Sequence, residues 1–548
     1  MESEHKTMDV IKVRKVRIIV PRSCYYDVKL ALAKLKILHL DAWWYDEEFV
    51  KLVREKYSVG KDADVKSLSK GHPETIKFNE LLKRAMSLAD KLGISVTSSA
   101  FNEDLLNRSY LNSIEEKISH IESIFKEYSH LLEGGEEGVK EIKSKISEVF
   151  PNYESFIIEA INVLRVVLDR DEDVFHTNFS SYMFGWVPQN RVNEVIEAVQ
   201  KVTENSSITL VSPPSLHDKP PFVSRSPKFL KPFESLITTY DIPSAHEVNP
   251  TLVVSITFPI LFGLAFADVG HGFLLALFGI ILYTYKRRGF KSNSEMINLV
   301  MSGAELYILC GIMAIIGGLM FGEIFGFHMH EPPLGFILGY IPGIGHVFSP
   351  LEEPMKMFKL SLMVGMIHIS IGLTLSIIND VLEGEYKKAF FGSACWLWFY
   401  LGAMYLGLFV YKFNIDKWMS GLTLTVPLVI LPLVLMFVGM IVTEGVMDGL
   451  AHTFEAAISS LSHTVSYGRI LALSLSHGIL SQLLSSAAPA LGILGYIILA
   501  IGTIFLVMAL EGLISFTHVL RLTWVEFGFK YFRGGGREYK PLGTLMAS

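Results

Sequence analysis

The chain has 548 residues, of which 50% are hydrophobic and only 19% charged, and its mean hydropathy is +0.38. Such apolarity exceeds what one water-soluble core absorbs at this length, which excludes an all-soluble protein and points to membrane-embedded segments. The formal net charge of −6, with no basic runs interleaved with aromatics, argues against nucleic acid as a partner.

Charge is unevenly spread. Of 49 Lys and Arg and 55 Asp and Glu residues, only 33 lie after residue 250. The expected division is therefore a cytoplasmic N-terminal arm over residues 1–245 and a membrane domain over 246–548. Cys24, Cys310 and Cys395 are too far apart for a metal motif or a disulfide framework, which suits a reducing cytoplasm for the first half. The first 20 residues, "MESEHKTMDVIKVRKVRIIV", show no signal-peptide pattern.

In chain order, "KVRKVRIIVP" (Lys12 to Pro21) alternates basic and β-branched residues and predicts a half-buried strand. "DVKLALAKLKILHLD" has helical spacing and then a second β-like run. Residues 67–150 are charged and periodic. There Leu106, Leu111, Ile114, Ile118, Ile121 and Ile124 follow a coiled-coil seam, with "EGGEEG" (Glu133 to Gly138) as the hairpin turn. "SSYMFGWVP" predicts a strand and "NRVNEVIEAVQKV" a helix. The proline-rich "SPPSLHDKPPFVSRSPKFLKPFE" marks the border. The arm thus reads as two α/β lobes joined by an antiparallel coiled coil. It has no Gly-rich phosphate loop.

Apolar runs long enough to span a bilayer fall near 251–267, 270–285, 302–326, 358–379, 389–411, 421–443, 450–483 and 490–530. Eight spans put the basic loops "YKRRGFK" and "EGEYKK" and the basic tail on the cytoplasmic side. The loop from Phe327 to Pro354, which lacks Lys and Arg, then falls outside. Lys412 and Lys417 in "YKFNIDKW" are the exception. The last two runs are too long to stand upright, so they are expected to tilt or to extend beyond the bilayer.

The seventh run carries His452, Glu455, Ser459, Ser462, Ser466, Arg469, Leu473 and Ser476 at gaps of three or four, one polar stripe with His463 and His477 beside it. Glu455 and Arg469 are 14 residues apart, about 21 Å along a helix, and so do not pair. On the eighth run Glu511, Ser515, His518 and Arg521 repeat the spacing. Intramembrane charges are costly and usually mark an ion path, although a structural pair such as Arg469 with Glu511 remains open. Arginine holds its proton near neutral pH, so Arg469 suits a fixed charge beside a moving carboxylate rather than a proton relay. Secondary candidates are Asp268 and His271, which cap a turn between spans, and Glu323 and His368, which could line a cavity; Glu305 is a further polar group within the spans.

"HTFEAAISSLSHTVSYGRILALSLSHGILS" (His452 to Ser481) resembles the penultimate-helix signature of the large membrane subunit of V-type and archaeal A-type rotary ATPases, called subunit a in eukaryotes and subunit I in archaea. "LEGLISFTHVLRLTWVEFGFKYF" is similar to its last helix, "FPILFGLAFADVGHGFLLALFG" to its first helical pair and "KLSLMVGMIHISIG" to its fourth helix. "GWVP" and "PKFLKPFESLITTYDIP" resemble its motifs ahead of the membrane. The resemblance implies eight membrane helices, the last two tilted against a rotating proteolipid c/K ring. It implies an arm that binds peripheral-stalk subunits E and G/H, and a central-stalk C/d-type neighbour. Arg469 matches the family's arginine that faces the ring carboxylate, Arg521 its second arginine, and Glu455, His477 and Glu511 its half-channel positions; Ser466, His463 and His518 are neighbouring polar candidates. The implied role is a non-catalytic stator that couples H⁺ or Na⁺ flow to ATP synthesis or hydrolysis on other subunits, without a cofactor or a metal. The implied place is a prokaryotic or archaeal cell membrane, with both termini cytoplasmic. Gly468 stands where the family commonly has leucine and should loosen the helix, and the arm is shorter than is usual. A stand-alone secondary transporter and a scaffold with buried charges are the competing readings, although no convincing internal repeat favours the transporter.

Overall fold

The computed structural model describes residues 12–57, 65–96, 103–128, 136–215, 218–224, 226–244, 247–290, 292, 294–328, 350–411, 421–490 and 492–544. The hairpin turn expected at 133–138, most of the Lys-free loop, and Lys412 with Lys417 lie wholly or largely outside these residues. The chain forms two compact units, Ile11–Val223 with Gly536–Ser548, and Ser224–Gly535. The border falls ahead of the expected 245/246 because Phe233 and Ile237 are buried among the apolar helices of the second unit.

The first unit contains, in order, β1 (Val13–Pro21), α1 (Tyr25–Leu35), β2 (His39–Asp41), α2 (Glu47–Tyr57), α3 (Pro73–Lys91), α4 (Arg108–Glu127), α5 (Glu136–Val149), α6 (Tyr153–Leu168), β3 (Phe175–His176), β4 (Ser180–Pro188), α7 (Val192–Val202) and β5 (Ile208–Ser212). The two expected lobes are in fact one. All five strands share a single antiparallel sheet of order β2-β4-β1-β5, with β3 also on β4. β4 is buried along almost its whole length, so it needs a neighbour on each edge, and β1 supplies one across nine paired positions from Val13↔Pro188 to Pro21↔Ser180. The basic residues of β1 are not simply solvated. Lys15 reaches Asp46 at 3.2 Å and Asp218 at 3.1 Å, and Arg17 reaches Asp46 at 2.6 Å.

In place of the two long antiparallel helices expected over 67–150, the described residues form the shorter helices α3, α4 and α5, and α6 follows. α3 packs on α6 and α4 on α5, and the seam from Leu106 to Ile124 is buried as its spacing predicts. The C-terminal tail completes this unit. Arg537 grips Asp41 at 2.8 and 2.7 Å, the Lys540 N–H donates to His39 Nδ1 at 2.8 Å, and the Leu542 N–H donates to the Leu38 carbonyl at 2.8 Å. Leu542 is buried in the core, and at Gly543, with φ +85°, a Cβ would lie 2.2 Å from the Ala33 carbonyl oxygen.

The second unit has α8 (Lys231–Tyr240), α9 (Thr251–Ala265), α10 (Val269–Arg287), α11 (Glu295–Ser302), α12 (Ala304–Phe321), a β6–β7 hairpin (Glu323–Ile324, Phe327–His328) and α13 (Pro354–Leu382). α14 (Tyr386–Val410), α15 (Leu422–Glu444), the pair α16 (Val446–Ser466) and α17 (Gly468–Ala490), and α18 (Ile493–Tyr531) complete it. Seven helical segments among the described residues are long and apolar enough to cross a membrane. α9 has 15 residues, about 22 Å, short of the roughly 30 Å hydrocarbon core. Helices approach closely where side chains are small: a Cβ on Gly311 would lie 2.5 Å from the Ala276 nitrogen.

Candidate functional site

The long seventh run breaks at Tyr467, directly before Gly468, into α16 and α17. Glycine weakens a helix interior by about 1 kcal/mol, and the local loosening expected from Gly468 is seen. Tyr467 is buried and its hydroxyl meets His368 Nδ1 at 2.8 Å, while the His368 ring stacks on Phe527 at 4.3 Å. His368 is thus packed against the break, and its Nε2 has no hydrogen-bond partner among the described residues.

Arg469 comes directly after the break, and its guanidinium donates to Glu526 Oε1 at 3.2 Å, an oxygen that also accepts from the Ser466 hydroxyl. The pairing of Arg469 with Glu511 does not occur. Glu511 instead faces His477 Nδ1 at 3.1 Å. Glu526 was not singled out in the sequence, although a lone carboxylate in the apolar run "TWVEFGF" was the available signal. Its side chain is 3% exposed against 27% for Arg469, so the pair has one sealed and one open end.

The stripe expected on α16 and α17 looks outward over much of its length. Glu455, Ser462 and Ser476 are exposed, and Ser466 and His463 are half-buried. Lys530, also missed in the sequence, meets the stripe at Ser459 (3.0 Å) and lies 4.2 Å over the Trp396 ring. On α18 the expected single face is twisted: Glu511 and Ser515 are buried, His518 is half-buried and Arg521 is exposed. Gly512–Arg521 is regular α-helix, and ten steps of about 100° set Arg521 about 80° round the helix from Glu511, toward the exposed side. The π-helical segments Thr503–Glu511 and Leu522–Gly528 flank this stretch.

Past the break, His477 and Glu511 meet a second group. Asp268 caps α10 by accepting the His271 N–H at 2.9 Å, as its turn position predicts, and also accepts the Phe325 and Gly326 N–H groups, each at 3.0 Å. His271 and His477 ring centroids are 5.1 Å apart. Ser481 and Ser515, one turn beyond His477 on α17 and Glu511 on α18, are buried, and neither hydroxyl has a partner among the described residues. Glu323 is buried on β6, in the hairpin that Asp268 holds. Glu305 is paired with Lys286 at 2.7 Å. A cavity of about 510 Å³ between α9, α10, α12 and α18, lined by Phe262, Phe278, Met508 and Phe516, is apolar and offers ions nothing.

Several known proteins resemble this chain. A-type ATP synthase subunit I of Methanocaldococcus jannaschii is 27% identical over 420 residues, covering 70% of this chain and 58% of that protein. The same subunit of Methanothermobacter thermautotrophicus is 28% identical over 414 residues, covering 73% and 57%. V-type proton ATPase subunit a of Schizosaccharomyces pombe is 25% identical over 513 residues, covering 71% and 61%. The chain thus spans about three-fifths of these relatives' length. The V-type ATPase 116kDa subunit family matches residues 80–331 and 440–544, which include Asp268, Arg469, His477, Glu511 and Glu526, and the chain belongs to that family.

Proposed function

We propose that this chain is the stator subunit of a V/A-type rotary ATPase, a multi-pass membrane protein that does no ATP chemistry itself. It guides H⁺ or Na⁺ past a rotating proteolipid ring. The observation that carries this reading is the Arg469–Glu526 pair, part open at the start of α17, which also exposes Ser476, with Glu455 exposed on α16. Charge inside a bilayer costs a few kcal/mol or more unless it meets protein or water, so this face calls for a partner within the membrane. A ring carboxylate fits: the fixed charge of Arg469 draws it in and makes it release its ion there. Glu455, Ser459 and Lys530 form one half-channel on the cytoplasmic side. His477, Glu511, Asp268 and His271 form the other, offset across the helix break.

The names of the relatives, subunit I of A-type ATP synthases and subunit a of a V-type proton ATPase, support this assignment. On this reading the arm meets E and G/H stalk subunits and a C/d-type subunit of the central stalk. We take α9 as a short first span, making eight, which returns the basic loops and tail to the cytoplasm of a prokaryotic or archaeal cell. The test is ATP-driven ion uptake by the reconstituted complex carrying Arg469→Ala. Uptake is lost while the complex stays assembled; normal uptake overturns the mechanism, and transport by the chain alone replaces it with a secondary carrier. Uptake that persists without Na⁺ and collapses with a protonophore identifies H⁺.

A further inference from the structure

We propose that Asp268, His271 and His477 bind one divalent transition-metal ion, Zn²⁺ by ligand chemistry, and that its binding arrests ion passage on their side of the helix break. One ligand atom from each residue lies within 4.8 Å of the others. All three residues are at most 1% exposed. His477 Nε2 has no hydrogen-bond partner among the described residues, and His271 Nδ1 faces the Asp268 carboxylate at 3.2 Å without making a hydrogen bond of good geometry.

The surroundings of these atoms match what a metal-binding histidine needs. Glu511 faces His477 Nδ1 at 3.1 Å, so the other ring nitrogen, Nε2, is turned away from the carboxylate. A carboxylate behind a histidine in this way fixes its tautomer and raises its basicity toward a metal. Asp268 is held by three backbone N–H groups, which orient its carboxylate, and its Oδ1 lies 3.2 Å from His271 Nδ1. The two imidazoles stand nearly perpendicular, at 85°, so they approach a common point from different directions.

Two imidazole nitrogens and one carboxylate oxygen are a zinc ligand set that leaves a fourth position for water. Bonds of about 2.0–2.2 Å bring tetrahedral donors within about 3.5 Å of one another, which ring rotations of about 1 Å achieve. The same histidine atoms are then unavailable to a passing ion, so binding and transport exclude one another. The arrest rests on the half-channel reading above; the binding does not.

The assembled complex is stripped with EDTA, equilibrated with Zn²⁺ alone, freed of excess and assayed for zinc at rest, with no nucleotide. One zinc per complex is lost in His271→Ala and in His477→Ala. Unchanged zinc content in both overturns the site. His477→Cys, which keeps a ligand, retains the zinc and adds a sulfur neighbour near 2.3 Å in X-ray absorption; absence of that sulfur also overturns it. In the unsubstituted complex, saturating Zn²⁺ slows ATP-driven uptake at least tenfold and EDTA restores it. Full zinc binding with undiminished uptake overturns the arrest. Zinc at the site together with normal uptake in Arg469→Ala would instead sink the half-channel reading and leave the metal site standing.

Discussion

Asp171 in the sheet unit and Glu526 on α18 are both nearly inaccessible carboxylates, at 7% and 2% exposure, yet their neighbours treat them differently. Asp171 is saturated. Tyr25 (2.6 Å) and Lys29 (2.9 Å) donate to one oxygen, and Tyr26 (3.1 Å) and Thr75 (2.5 Å) to the other. Burial opposes its charge, but Lys29 and the hydroxyl donors hold the carboxyl below its usual range. Glu526 has Ser466 and Arg469 on one oxygen and no partner for the other among the described residues. A saturated buried charge locks a structure; one with an open side and a partly exposed partner can exchange contacts as a neighbour moves.

Four measurements test that contrast, in order of expected size. Arg469→Ala should lower ATP-driven uptake at least about 100-fold with little change in thermal stability, since its side chain is partly exposed. A large loss of stability would mean that the membrane pair, too, is structural. Asp171→Ala should do the reverse. It leaves the Lys29 ammonium buried without a partner, a loss of about 3–5 kcal/mol, read as a lower unfolding midpoint; an unchanged midpoint would show that the saturated cluster is dispensable.

The third concerns pH. Burial, and then the charge of Arg170, push His39 down to about 3. In the unfolded chain it protonates near pH 6.5, so the unfolded state binds more protons between pH 6.5 and 3. Stability therefore falls as the pH drops through that window, by up to about 1.4 kcal/mol per unit. Because His39 Nδ1 accepts the Lys540 N–H, faster amide exchange at Lys540 on acidification, abolished in His39→Gln, would report it. The smallest effect is expected for Glu526→Gln, which keeps an acceptor for Ser466 and Arg469 but drops the charge. We expect uptake to slow by about three- to tenfold; complete loss would make Glu526 as indispensable as Arg469.

Legibility tracked the range of the interaction. The strands β1 and β4, the α4 seam and the polar stripe of α16 and α17 rest on side-chain periods of 2 and 3.6, which are written locally. That β1 and β4 lie in one sheet was not legible, because Arg17 and Phe184 are partners across 167 residues of chain. On α18 the reading failed for another reason. The π turn at Leu522–Gly528 shifts the register between Arg521 and Glu526, and propensity does not announce it. Arg469 was found because one guanidinium in an apolar run stands out, whereas its partner was chosen by packing between two helices.

By itself the sequence determined the two-part chain, the apolar runs, a weak point at Gly468 and the chemical types available inside the membrane, since composition and spacing need no partner to be read. Only the tertiary structure decided which charges meet. It joined Arg469 to Glu526, Glu511 to His477 and Asp268 to the hairpin at Phe325, and it closed the first unit with the tail around Leu542. Pairing in a bilayer is settled by which faces of distant helices are pressed together, and that geometry has no local code.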